Sequence, residues 1–505
     1  MRVSPDGRFA FAEIQNRLYI LSLPQGGSEP AVVVGKGSSP GARLLSSLGG
    51  DHLAWTADGQ AVTWVRGATF FRQRLDADRP EAFEAAVEVP RPAPEGTIVL
   101  RGAKAIIMNG DQIVTDADVV VQGNRIASVG PRGAARVPAG AEVVDVSGKT
   151  IIPGLVDVHA HVRDGEAWPY LTLLAYGVTT LRDPSASIQI FADGDLIEAG
   201  KMLGPRIFST GPSMDSSFGV TDLESARSVV RRYKEFYRTT LFKQYLSGDR
   251  RVRQLLAIAL REHGMNATTE GGPEGKMGLS QVLDGYSHEH NLSLQPLYQD
   301  VVQLYTRAQS FYTPTLIEGD GGPLSKHYLF STRNVHDDAK LRRFTPHWVL
   351  DSVTKRRPLW AMEEEFAFRG IARDLAAIVR AGGRVGIGSH GELQGLGSHW
   401  DLWLIQSGGM TPKDALRVAT VFGAEIIGVQ RDLGSLEPGK LADLLVLDRD
   451  PLADIRNTES ILYVMKNGEL YEGETLDRIW PRRKKLEMKW RMDDAPVERP
   501  VGSQR

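Results

Sequence analysis

Cysteine is absent from all 505 residues. No disulfide can hold this fold, and a bound metal would need His, Asp, Glu or a modified Lys as ligands. An excess of either charge is missing too. The 60 Lys and Arg residues stand against 62 Asp and Glu, which argues against nucleic acid or an anionic membrane as the main partner. No apolar run reaches membrane-spanning length, and the opening MRVSPDGRFAF does not read as a secretory signal. What remains is a globular composition, 42% hydrophobic and 24% charged, in a chain long enough for two or three domains.

The most informative stretch is GKTIIPGLVDVHAHV, in which a strand-type apolar run ends in His159 and His161. Alternation on a strand sends residues i and i+2 to the same side, so both imidazoles face one way, as half a metal site requires. The string resembles the first barrel strand of the metal-dependent amidohydrolase superfamily. Matching segments follow in order from about residue 96 to 475. The resemblance implies a (β/α)8 TIM barrel over 151–429, flanked by a β-sandwich made of 96–150 and 430–475.

Residues 1–95 read as turns and strands repeated with a period of roughly 50 residues, with Asp6-Gly7 and Asp58-Gly59 at equivalent turns. They resemble about two blades of a TolB-like β-propeller, a module fused ahead of some amidohydrolases of the imidazolonepropionase and prolidase type. Two blades cannot close a ring of at least about four. The chain is therefore expected to be the C-terminal part of a longer protein, whose compartment would be periplasmic or secreted, or to carry a remnant packed as a small sheet. Localisation is not written in the sequence itself. RPAPEG at 91–96 is a Pro-rich linker, and 476–505 a charge-rich tail.

Strand and helix patterns alternate between the two flanking pieces, which suggests parallel βα units. Strands are expected near 151–158, 177–182, 205–210, 239–245, 266–270, 286–290, 311–317 and 384–389, with the chemistry at their C-terminal ends. By the resemblance, Lys243 becomes a carbamate by taking up carbon dioxide and bridges two metal ions. A buried neutral amine is the form that can do so. Glu270 stands where many members carry His and is expected either to bind metal through oxygen or to hold a ligand in place, and His290 is the sixth-strand ligand. His288, two residues earlier, is its reserve.

At the eighth strand the family's Asp is replaced by His390, which can act as general base or as a further ligand. With Glu270, this exchange reads as a swap of a His and an acid between strands five and eight. His399 and Asp401 are expected to orient the loop and the ligands. An aromatic and basic insertion from 318 to 368 is where substrate choice would lie.

The resemblance implies a hydrolase that cleaves C–N bonds of the amide, peptide or cyclic-amide kind through water activated by one or two divalent ions, with zinc the expected metal. Its substrates would be small molecules or short peptides. The alternatives are a prolidase-like dipeptidase, a promiscuous ester or phosphotriester hydrolase, a deaminase, against which His390 speaks, and a scaffold that has lost its metal. Assembly as a homo-oligomer is left open.

Overall fold

The computed structural model describes residues 1–24, 26, 41–271, 275–319, 321–354 and 361–488. They fall into two compact units, one of 1–90, 210–270 and 284–286, the other of the remainder.

The smaller unit opens with two four-stranded antiparallel sheets. Arg2–Val3, Phe9–Ile14, Arg17–Ser22 and Ala42–Ser46 form the first, and Asp51–Trp55, Ala61–Arg66, Thr69–Arg74 and Glu81–Glu84 the second. The repeat seen in the sequence is a repeat of hydrogen bonds. Asp6 Oδ1 accepts from Ser4 Oγ at 2.6 Å and from the Arg8 amide at 3.1 Å, and Asp58 Oδ1 accepts from Thr56 Oγ1 at 2.6 Å and from the Gln60 amide at 3.0 Å. Gly7 and Gly59 follow with φ of 74° and 67°, values that glycine adopts without steric cost. Phe11, Leu18, Ile20, Val62 and Trp64 form the buried core of the sheets.

The same unit contains the parallel pair Leu241–Gln244 and Asn266–Thr269, with the helices Leu223–Arg231 and Arg250–Glu262. Asp222 and Asp249 cap these helices by accepting from the amides of Ser225 and Val252. A π-turn, Arg232–Phe236, ends the first helix and places Arg232 among the sheets. Its guanidinium meets Glu13 at 2.6 Å, Asn16 at 2.7 Å and Asp51 at 2.8 Å. Gly67 lies so close to the Phe236 carbonyl that an added Cβ would stand 2.2 Å from its oxygen. The two sheets are thus packed on this helical segment.

In the larger unit the two flanking pieces meet. Thr150–Pro153 pairs in parallel with Thr97–Ile106 and antiparallel with Leu444–Leu447, so both pieces share one nine-stranded sheet. The segments 96–150 and 430–475, expected to form one flanking β-sandwich, are joined by this sheet. Ile98, Leu100, Val119, Val121, Ile151, Leu444 and Val446 form its buried apolar cluster. The sheet also takes in Arg478–Trp480, and Arg478 bridges Lys484, so the expected tail from 476 is in part sheet; residues 489–505 lie outside the described ones.

The expected strand at 151–158 is two strands. Thr150–Pro153 belongs to the flanking sheet, and Leu155–Asp157 pairs in parallel with Val178–Asp183, which pairs with Arg206–Ser209. Gly154 is the crossing point, where a Cβ would lie 2.1 Å from Thr179 Oγ1. Ser287–Glu289, Phe311–Thr313 and Arg384–Val385 form a second parallel run, and Asp157 bridges Ile387 in parallel, joining it to the first. Helices such as Trp168–Ala175, Gln299–Ala308 and Phe368–Arg380 alternate with these strands. The architecture is mixed α/β and consistent with a TIM barrel. The insertion is helical over Ser325–Thr332, Ala339–Phe344 and His347–Thr354, with 320 and 355–360 outside the described residues. Among the described residues no helix is long and apolar enough to cross a membrane.

Candidate metal centre

Four imidazoles converge at the ends of the parallel strands of the larger unit. The His159 ring centroid lies 4.8 Å from those of His161 and His290 and 5.2 Å from that of His390, and His161 is 4.8 Å from His390. Ligand atoms of His159, His161 and His390 all fall within 4.8 Å of one another. The His159 amide donates to Asp157 and the His390 amide to the His159 carbonyl, which ties the first strand's end to the last. Both His290 and His390 hold the left-handed backbone, with φ of 64° and 55°, a strained conformation for a residue with a Cβ.

Partners on the far side of three of these rings bear on what the near side can do. His159 Nδ1–H donates to Glu289 Oε2 at 2.7 Å, and the other Glu289 oxygen is held by the buried Arg182. His161 Nδ1 lies 3.4 Å from Asp183, and Thr315 Oγ1 is 2.7 Å from His290 Nδ1. These partners leave Nε2 as the inward atom, and His159 Nε2 and His161 Nε2 stand 3.1 Å apart. Two bare lone pairs facing each other at that separation repel. Two nitrogens bound at about 2.0–2.1 Å to one tetrahedral ion would sit roughly 3.4 Å apart, so the donor set fits a divalent ion.

Other expected residues fall elsewhere. His288 Nδ1 meets Tyr305 Oη at 2.8 Å and its ring stacks on Tyr312, so the reserve candidate belongs to an aromatic cluster. Strand parity would give His288 and His290 one side; the left-handed turn at His290 breaks that parity. The ring nitrogens of His399 bond to Thr458 Oγ1 and the Tyr176 carbonyl, which anchors its helix rather than a ligand; full burial lowers its pKa to about 4. Asp401 accepts the amides of Ile317 and Gly388, each at 2.9 Å, and burial raises its pKa to about 7. In the smaller unit, Lys243 is buried and its Nζ is ion-paired with Glu270 Oε2 at 2.5 Å.

Sequence reasoning passed over Asp157, Arg182, Asp183 and Glu289. The strand string GVTTLRD held two of them, and the Glu of SHEHNL a third. It also passed over Lys326, in the helical insertion, whose ammonium bridges Glu318 at 2.6 Å and Glu392 at 2.9 Å. Burial and the neighbouring Glu392 raise the Glu318 pKa to about 7.

The profile of the amidohydrolase family matches residues 150–471. The chain belongs to the amidohydrolase family. Among curated members it is 26% identical over 412 residues to an imidazolonepropionase of Deinococcus radiodurans, covering 73% of this chain and 92% of that one. It is 24% identical over 377 residues to an adenine deaminase of Chelativorans sp., covering 70% of this chain and 54% of that one. The chain thus spans about half the length of that deaminase. A Xaa-Pro dipeptidase structure superposes with a TM-score of 0.57 at 19% identity over 75% of this chain and all 100% of that one. A putative prolidase from Bifidobacterium longum gives 0.58 at 22% identity, with 79% and 97% covered. These two structures share the fold of this amidohydrolase.

Proposed function

We propose that this amidohydrolase is a metal-dependent hydrolase of amide-type C–N bonds in small molecules or dipeptides, with zinc as the expected metal. His159, His161 and His390 would hold the ion, with His290 as a further ligand. The observation that carries the reading is the convergence of these rings, with His159 fixed from behind by Glu289 and Arg182.

When bound, a divalent ion supplies Lewis acidity and would lower the pKa of water toward about 7. The chain's own groups do the rest. Glu289 keeps the His159 proton on Nδ1, so that Nε2 stays an acceptor; the Asp183 carboxylate favours the same tautomer of His161, and Thr315 Oγ1 holds the His290 ring through Nδ1. Asp157 and Asp401 hold the strand ends at fixed separation, so that the ligands do not have to be gathered for each turnover. Burial of Arg182 and Glu289 keeps water from competing for these bonds.

Carboxylation of Lys243, its participation with Glu270 in a second metal position, completion of an eight-stranded barrel, and the propeller origin of the N-terminal sheets belong to the same proposal. They rest on the resemblance in the sequence and, for the last, on the two equivalent Asp-Gly turns.

Elemental analysis of protein purified without chelator, repeated on His159→Ala and Lys243→Ala and paired with hydrolysis assays on dipeptides and N-acyl amino acids, tests the reading. Bound metal that falls in His159→Ala, together with amide cleavage, is the expected result. A wild-type protein without metal or hydrolysis would move the reading to a scaffold. Unchanged metal in Lys243→Ala would remove Lys243 from the ligands. A second reading, deamination of an aminated heterocycle, is favoured by the adenine deaminase relatives, and ammonia release from adenine would establish it.

A further inference from the structure

Away from the histidine cluster, residues of the larger unit line a half-open cavity of about 1020 Å³ beside the flanking sheet. At its wall one carboxylate serves three cations. Glu198 bonds Arg206 at 2.8 Å, while Arg91 stands at 3.6 Å and Lys466 at 3.9 Å from it. Asp443 lies 3.5 Å from Arg206, and Glu469, which also lines the cavity, is paired with Arg478. Lys466 and Arg206 are only 7% and 8% exposed. Among the described residues the Lys466 ammonium has no hydrogen-bond acceptor and Arg206 Nε has no partner. Burial and the charge of Arg206 lower the Lys466 pKa, as expected for an ammonium whose compensation is incomplete. Lys201, Arg482, Lys484 and Lys485, exposed residues of the lining, have no carboxylate within ion-pair distance among the described residues.

A buried cation without a hydrogen-bonded counter-charge is costly in a finished structure, and an anion entering from the cavity would relieve it. We propose that this cavity binds a small organic polyanion, bearing phosphate or carboxylate groups, with Lys466 and Arg206 at its base and the lysines at its opening. The site is separate from the metal centre and does not depend on the reaction proposed there.

Calorimetric titration of the full chain at constant ionic strength, with fructose 1,6-bisphosphate and with tricarballylate, tests this. Saturable binding of either is expected, at least tenfold weaker in Lys466→Met. The bisphosphate binding alone would mark a phosphate site and tricarballylate alone a carboxylate site. The exposed double variant Lys484→Ala, Lys485→Ala is expected to bind about threefold more weakly with unchanged melting temperature, and it decides the matter should Lys466→Met not fold. Absence of saturable binding to the wild type, or equal affinity in wild type and folded variants, would overturn the proposal.

Discussion

Glu289 Oε2 accepts the Nδ1 proton of His159 at 2.7 Å, across 130 residues of sequence. Partners of this kind fix the tautomer of a metal-binding imidazole, and losing one typically costs about 10–100-fold in metal affinity. Glu289→Gln is therefore expected to weaken metal binding by that factor in a competition titration. The same change leaves Arg182 buried without its carboxylate, so the melting temperature should fall as well. Unchanged metal affinity would remove Glu289 from the centre.

His390 separates two mechanisms. As a ligand, its replacement in His390→Asn lowers metal content together with activity; as a base alone, it lowers activity and leaves the metal in place. The ring distances favour the first outcome, which elemental analysis of the variant reads directly. Full activity in His390→Asn would exclude both roles.

Removing metal should also act on the fold. An ion bound only by the native state stabilises it by about 2.7 kcal/mol at a hundred times its Kd. Chelator dialysis is expected to lower the melting temperature, zinc to restore it, and His161→Ala to be insensitive to either treatment.

Two buried groups beside each other in sequence pull stability in opposite directions with pH. His399, lowered to about 4, stays neutral in the fold while the unfolded chain takes up a proton below about 6.5, so its contribution is lost as pH falls from 6.5 to 4. Asp401, raised to about 7, keeps its proton in the fold after the unfolded chain has released it above about 3.9, so its contribution is lost as pH rises from 4 to 7. Melting curves from pH 4 to 8 should accordingly be flatter in the wild type than in His399→Gln, whose stability falls with rising pH over that window. A wild-type profile that does not change shape in His399→Gln would contradict this assignment.

Arg232 is expected to hold the N-terminal sheets. Arg232→Ala leaves Glu13 and Asp51 without their cation, a loss of about 3–5 kcal/mol for a buried pair broken on one side. Limited proteolysis should then cut within 1–90 faster than in the wild type, while metal content stays unchanged. Equal rates would show that the sheets are held by other contacts.

The strand plan was legible because alternating and apolar runs are local signals. Seven of the eight expected strands begin within about two residues of their expected positions, and the first, expected from 151, joins the parallel run only at Leu155. His159, His161, His290 and His390 were legible as residue types at strand ends. What surrounds them was not. Arg182 and Glu289 meet across 107 positions, and a charged residue inside a strand reads locally as an exposed one. Arg232 likewise reads as the solvated side of a helix, until the π-turn carries it inward. The distinction between His288 and His290 depended on a backbone angle that residue type does not announce.

That angle has a consequence for the history of such a site. At positions 290 and 390 the backbone would be more relaxed with glycine or asparagine. Selection for thermal stability alone would drift these positions away from histidine, so an ancestor-like or consensus-stabilised variant of this chain is at risk of becoming a sturdier protein with an empty centre.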